Sequence, residues 1–160
     1  MRSVMNQNGL TLIEVLITVT ILAILASVVV PLSQMTVKRE KELELRRSLR
    51  AIRFAIDDYK RVWDEGKIKK SIDESGYPPD LETLVEGVED ASSPERKTIR
   101  FLRRVPRDPM NPDTYIPPEE TWGLRSYESD PDMPSEGKDV FDVYSRSDGI
   151  AIDGTRYDSW

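Results

Sequence analysis

The 160-residue sequence contains no cysteine and no histidine. Those two absences exclude disulfide staples, thiol nucleophiles, zinc clusters and serine-histidine triads, together with nearly all imidazole acid-base chemistry. There is no Gly-rich phosphate-cradling loop with its lysine, so any energy-consuming step must be driven by a partner. Basic residues are outnumbered, 23 against 29 acidic, for a formal net charge of −6. The aromatics are not interleaved with a basic stripe, which argues against nucleic acid as a partner. Apolar residues are scarce outside one run. Seventeen of them fall between Leu10 and Leu32, leaving 44 for the other 137 positions, about 32% and below the usual globular share. A chain of this length and composition holds one small domain with a thin core, plus an accessory segment.

The accessory segment is the apolar run. Its 23 residues, Leu10 to Leu32, make a helix of roughly 34 Å at about 1.5 Å per residue, enough to cross a hydrocarbon core of about 30 Å. Met1 to Gly9 is short and polar and has no apolar core of its own, unlike an ordinary secretory signal. After Pro31, Leu45, Leu49, Ile52, Ile56, Tyr59 and Val62 recur at spacings of three and four, one stripe of an amphipathic helix. The span is therefore expected to run on as a single helical spine to Trp63–Gly66, kinked at Pro31, which removes a backbone donor.

Beyond Gly76 the chain is rich in Pro, Gly, Asp and Ser. Tyr77-Pro78-Pro79-Asp80-Leu81 opens a short helix through Val85, 87–94 reads as loop, and 96–103 reads as a second helical stretch. Pro106, Pro109 and Pro112 forbid regular structure. Strands are expected over 123–128, 139–145 and 150–153, with Ser147-Asp148-Gly149 as a hairpin turn between the last two.

The stretch Gly9-Leu10-Thr11-Leu12-Ile13-Glu14, followed by the apolar run and Pro31, resembles the class III leader and N-terminal helix of type IV pilins and pseudopilins. Three further blocks resemble the major pseudopilins of type II secretion: Tyr77-Pro78-Pro79, Phe101 to Pro109, and Phe141-Asp142-Val143-Tyr144-Ser145. Type IV pilins share the leader but usually close a cysteine loop, for which this chain has no cysteine.

The resemblance implies an α+β pilin-like fold, with the long helix packed on a small antiparallel sheet. It divides the chain into a leader (1–9), a transmembrane helix (10–32), an amphipathic continuation (33–66) and a periplasmic globular part (67–160). It also implies cleavage after Gly9 by a prepilin peptidase and N-methylation of Leu10, where the family usually has Phe. The location implied is the bacterial inner membrane, N-terminus cytoplasmic and C-terminal part periplasmic. The implied partners are further copies of the chain, minor pseudopilins, membrane lipid, and the inner-membrane assembly platform with its ATPase.

Glu14 is the one charge between Leu10 and Leu32, and a carboxylate in a span costs about 2.5–3.5 kcal/mol at the bilayer centre and less near its end. By the resemblance, it meets the N-terminal amine of a neighbouring subunit and sets the axial register. The plainer reading is an acidic residue favoured at a helix N-terminus. The basic cluster Lys38, Arg39, Lys41, Arg46, Arg47, Arg50 and Arg53 reads either as a solvated helix face or as a source of inter-subunit salt bridges. Major pseudopilins carry a calcium site, whose side-chain ligands best match Asp148 and Asp153, although aspartate is also an ordinary turn residue. Trp122, Tyr127, Tyr144, Tyr157 and Trp160 are expected to pack the sheet against the helix. The expected role is structural, not enzymatic. A type IV pilin or minor pseudopilin is the alternative within the class, and a membrane-anchored hydrolase with paired carboxylates is the one outside it.

Overall fold

The computed structural model describes residues 11–70 and 74–160; Gly9 and Leu10 lie outside them. Among the described residues there are two α-helices, α1 (Leu12–Asp64) and α2 (Glu82–Glu86), and four short strands: β1 (Val88–Glu89), β2 (Thr98–Ile99), β3 (Trp122–Arg125) and β4 (Asp142–Ser145). The chain divides into two compact units, Met1–Arg39 and Glu40–Trp160.

In the first unit, the start of α1 is written in Thr11-Leu12-Ile13-Glu14. The backbone N–H of Glu14 donates to Thr11 Oγ1 at 3.2 Å, the N-cap half of a capping box. Hydroxyls farther along are satisfied by the helix itself. Thr18, Thr20 and Thr36 donate to the carbonyls of Glu14, Leu16 and Leu32 at 2.7–3.0 Å, and Ser27 donates to that of Ile24 at 2.7 Å. Such back-bonding removes the cost of hydroxyls in an apolar helix. The helix continues through Pro31, and every residue from 11 to 37 whose burial is described is exposed. Leu12 is 91% exposed, an extreme value for leucine in a folded chain.

In the second unit, residues 40–64 of α1 turn the Leu45, Leu49, Ile52, Ile56, Tyr59 and Val62 stripe inward. All six are buried, against Leu81, Leu84, Trp122, Val140 and Val143. Strands β3 and β4 pair antiparallel in the register Trp122↔Ser145, Gly123↔Tyr144, Leu124↔Val143 and Arg125↔Asp142. The α+β expectation therefore holds. A β-carbon at Gly123 would come within 2.3–2.8 Å of the Tyr144 ring, so any other residue there would displace that ring.

Sequence blocks without regular structure are held by polar ties. Arg107 gathers the carbonyls of Asp113, Thr114 and Ile116. Asp108, 1% exposed, accepts from the Met110 N–H at 2.8 Å and the Ser145 hydroxyl at 2.6 Å. Trp122 Nε1 donates to the Pro106 carbonyl at 2.8 Å.

Several local expectations fail for identifiable reasons. Residues 96–103 are not helical, and 87–94 is not all loop: β2 pairs with β1 in the register Val88↔Ile99 and Glu89↔Thr98. Arg96 takes a left-handed φ of 49°, and the N–H groups of Phe101 and Leu102 both donate to the Leu84 carbonyl, so tertiary partners consume the donors a helix would need. The 147–149 hairpin is also absent. Gly149 does not take the positive φ of a tight hairpin turn, whereas Gly154 does, at 87°. Ile150 consequently bridges Arg156 and not β4.

Replacing Ile52, which is fully buried, with alanine is expected to cost about 2–5 kcal/mol in urea unfolding of the detergent-solubilised chain. Phe54→Ala, two residues along and 67% exposed, is expected to stay within about 0.5 kcal/mol of the parent.

Candidate functional site

Two groups of side chains have chemistry beyond core packing, one in each unit. In the first, Thr11 caps the helix through its hydroxyl and leaves the Glu14 carboxylate free. That carboxylate is exposed beside Leu12, Ile13 and Ile17, and among the described residues it has no hydrogen-bond or ion-pair partner. An unpaired anion at the positive end of a helix, set among apolar side chains, can accept a cationic donor that approaches from outside.

In the second unit, α1 places Glu42, Arg46 and Arg53 along the edge of its core stripe, at spacings of four and seven. Glu42 is 9% exposed; its Oε1 accepts from the Ile152 N–H and the Tyr157 hydroxyl, each at 2.8 Å. Arg46 donates to Asp153 Oδ2 at 3.0 Å and lies 4.1 Å over the Trp160 ring. Arg53 donates to Asp142 Oδ1 at 2.7 Å, to the Val143 carbonyl at 3.0 Å and to the Trp160 carbonyl at 2.8 Å.

Electrostatics follow this wiring. Burial, and then the hydrogen bond to Glu42, push the Tyr157 phenol up to about 12. The Thr155 hydroxyl and N–H, with Arg46 behind them, hold the Asp153 carboxyl below the usual carboxylate range. Among the described carboxyls, Asp108 is the one raised, by burial against the opposing pull of Ser145 and Met110. It is closed in by its partners and is not presented to a cleft as an acid.

Comparison with known proteins bears on both groups. Residues 4–30 match the prokaryotic N-terminal methylation motif, a stretch that includes Gly9, Leu10 and Glu14. Beyond that stretch, the chain is 31% identical over 122 residues to type II secretion system core protein G of Vibrio cholerae, covering 74% of this chain and 76% of that one. The chain belongs to the core protein G family. Within the family it is also 31% identical over 141 residues to the Pseudomonas aeruginosa protein, covering 84% and 90%, and 30% identical over 120 residues to that of Aeromonas hydrophila, covering 71% and 75%. No solved structure gives a significant match.

The calcium site expected of a core protein G relative can be tested on the donors present. Calcium takes six to eight oxygens, several of them carboxylate. Here Asp153 Oδ1 accepts from the Thr155 N–H at 3.0 Å and its hydroxyl at 2.6 Å, and Oδ2 faces Arg46. Asp148 is exposed. Among the described residues no group of three or more acidic side chains converges on a point that could hold an ion. The Asp148 and Asp153 side chains do not by themselves supply the oxygens that calcium takes.

The basic cluster also divides in a way neither sequence reading anticipated, since Arg46 and Arg53 bind their own chain while Arg47 has no partner among the described residues. Of the aromatic set, Trp122 and Tyr157 are buried, whereas Tyr127 is 59% exposed, stacked with Tyr77 and edge-on to Phe141. Glu42 escaped the sequence reading, Arg53 entered it only as one of the basic cluster, and Asp108 escaped it. The first two carried a usable signal, charges at helical spacing along an apolar stripe; Asp108 carried none beyond its place between Arg107 and Pro109.

A phenol whose pKa is raised on folding stabilises the fold fully below its ordinary value of 10.0 and loses that stabilisation as pH climbs toward about 12. Thermal unfolding at successive pH values above 10 should therefore show a fall in Tm that is shallower in Tyr157→Phe. At neutral pH the same variant should be about 1–3 kcal/mol less stable, since Glu42 loses a donor.

Proposed function

We propose that the chain is a structural subunit that polymerises through its N-terminal helix into the type II secretion pseudopilus and so drives protein export across the outer membrane. The observation that carries this reading is the first unit: an exposed apolar helix, far too hydrophobic for water, bearing one unpaired carboxylate at its capped start. The chain is membrane-anchored through this helix. Its single apolar stretch supports one pass; a leader that meets a cytoplasm-facing prepilin peptidase sets the N-terminus in the cytoplasm and the second unit in the periplasm of a bacterial inner membrane.

Processing by a prepilin peptidase between Gly9 and Leu10, and methylation of Leu10, would leave a cationic amine four residues from Glu14. A neighbour's amine is the donor the free carboxylate can accept. Pairing the two in a low-dielectric helix bundle sets axial register, because a subunit misplaced by a turn buries an ion without its counter-ion. Pro31, unable to donate in the helix ladder, supplies a local bend for packing around the filament axis. Minor pseudopilins, the assembly platform and its ATPase supply initiation and energy. The role is mechanical and the chain catalyses nothing.

In cells carrying the secretion machinery, Glu14→Ala should insert and be processed normally while filaments become shorter or disappear in electron micrographs; unaltered filaments would refute the register role. Mass spectrometry of the native N-terminus should find a chain beginning at methylated Leu10. A chain beginning at Met1 would remove both the peptidase and the amine from the mechanism.

A further inference from the structure

The loop that follows β4 is closed on itself and then gripped from outside. The Ala151 N–H donates to the Thr155 carbonyl at 2.7 Å and the Tyr157 N–H to the Gly149 carbonyl at 3.1 Å, with Gly154 supplying the left-handed turn. Those bonds fix the loop's shape and leave open what fixes it to the body of the unit. The attachment comes from one turn of α1. Glu42 takes the Ile152 N–H and the Tyr157 hydroxyl, holding the loop at its middle and at its C-terminal end. Arg46, one turn on, takes Asp153 and is backed by the Trp160 ring.

We propose that Glu42 and Arg46 do for the 149–157 loop what a bound divalent cation would otherwise do, so that this core protein G relative keeps its C-terminal loop folded without metal. A cation organises a loop by drawing several oxygens to one centre. Here the charges are exchanged: the positive centre that Asp153 faces is a guanidinium carried by the helix, and the fixed anion is Glu42, which collects donors in place of a metal collecting acceptors. The exposed Arg46–Asp153 pair contributes little energy by itself. Its effect is to occupy the carboxylate a cation would need, with both oxygens of Asp153 already engaged. Glu42, nearly buried, carries the attachment, because its loss strands a buried phenol and leaves the Ile152 N–H without its acceptor. Order in the loop is thereby coupled to helical structure at residues 42–46 and is independent of calcium around the protein.

The test uses the full-length chain in detergent micelles, followed by thermal unfolding and by amide hydrogen exchange over residues 149–157. Chelator and about 5 mM calcium, above the roughly 10⁻⁴–10⁻³ M range of extracellular calcium modules, should give superimposable unfolding curves and equal protection for the parent chain. Glu42→Ala should lower loop protection roughly tenfold or more, calcium should not restore it, and Glu42→Gln, which keeps an acceptor oxygen, should fall between. Should Glu42→Ala not fold, Glu42→Gln carries the comparison. A calcium-induced rise in Tm of about 4 °C or more that disappears in Asp153→Ala would overturn the proposal. So would loop protection unchanged in both Glu42 variants.

Discussion

Leu45, Leu49, Ile52 and Ile56 present one apolar stripe, each no more than 2% exposed, and the second unit is arranged to cover it. With so few apolar residues outside the N-terminal run, no other element supplies a comparable surface. The strands are two to four residues long, too short for an independent sheet. They persist because Trp122, Val143 and Val140 insert against the helix. Removing the stripe would leave two short ribbons and a set of proline-rich turns with nothing to fold upon.

A thin core shifts much of the work of specification to polar side chains. Residues 106–121 contain five of the eleven prolines and little regular structure, so their backbone carbonyls need partners from elsewhere. Arg107 collects three of them, and Asp108 anchors the segment to β4 through Ser145. Arg53 performs the same task for the C-terminal segment. Guanidinium groups suit this role, since one planar fork serves several acceptors at once.

The long helix was legible because each position of α1 repeats one rule: the apolar stripe at spacings of three and four predicted the buried residues one by one. Strand positions were legible in outline, with Trp122–Arg125 and Asp142–Ser145 falling at or within a residue of the β-rich segments. The pairing of 88–89 with 98–99 was not, because it depends on the Leu84 carbonyl capturing Phe101 and Leu102 across a turn, a tertiary event with no local signature. The hairpin at Ser147-Asp148-Gly149 failed for a related reason: turn-forming composition permits a tight turn, and the hydroxyls of Ser145 and Ser147 offered the backbone N–H groups another partner. In the candidate sites, Glu14 was visible as a charge out of place. Glu42 was hidden among ordinary surface acids until the loop that covers it was seen.

The back-bonded hydroxyls of Thr18, Thr20, Ser27 and Thr36 have a consequence for how a membrane helix changes surroundings. A polar group that relies on neighbours for its hydrogen bonds ties a helix to the medium that provides them. These four draw on their own backbone, so they carry their hydrogen bonds with them and can move between lipid and a packed protein interior without breaking or making a single one of those bonds. The exchange is then close to isoenergetic for them, and Glu14 becomes the group that senses which medium it is in.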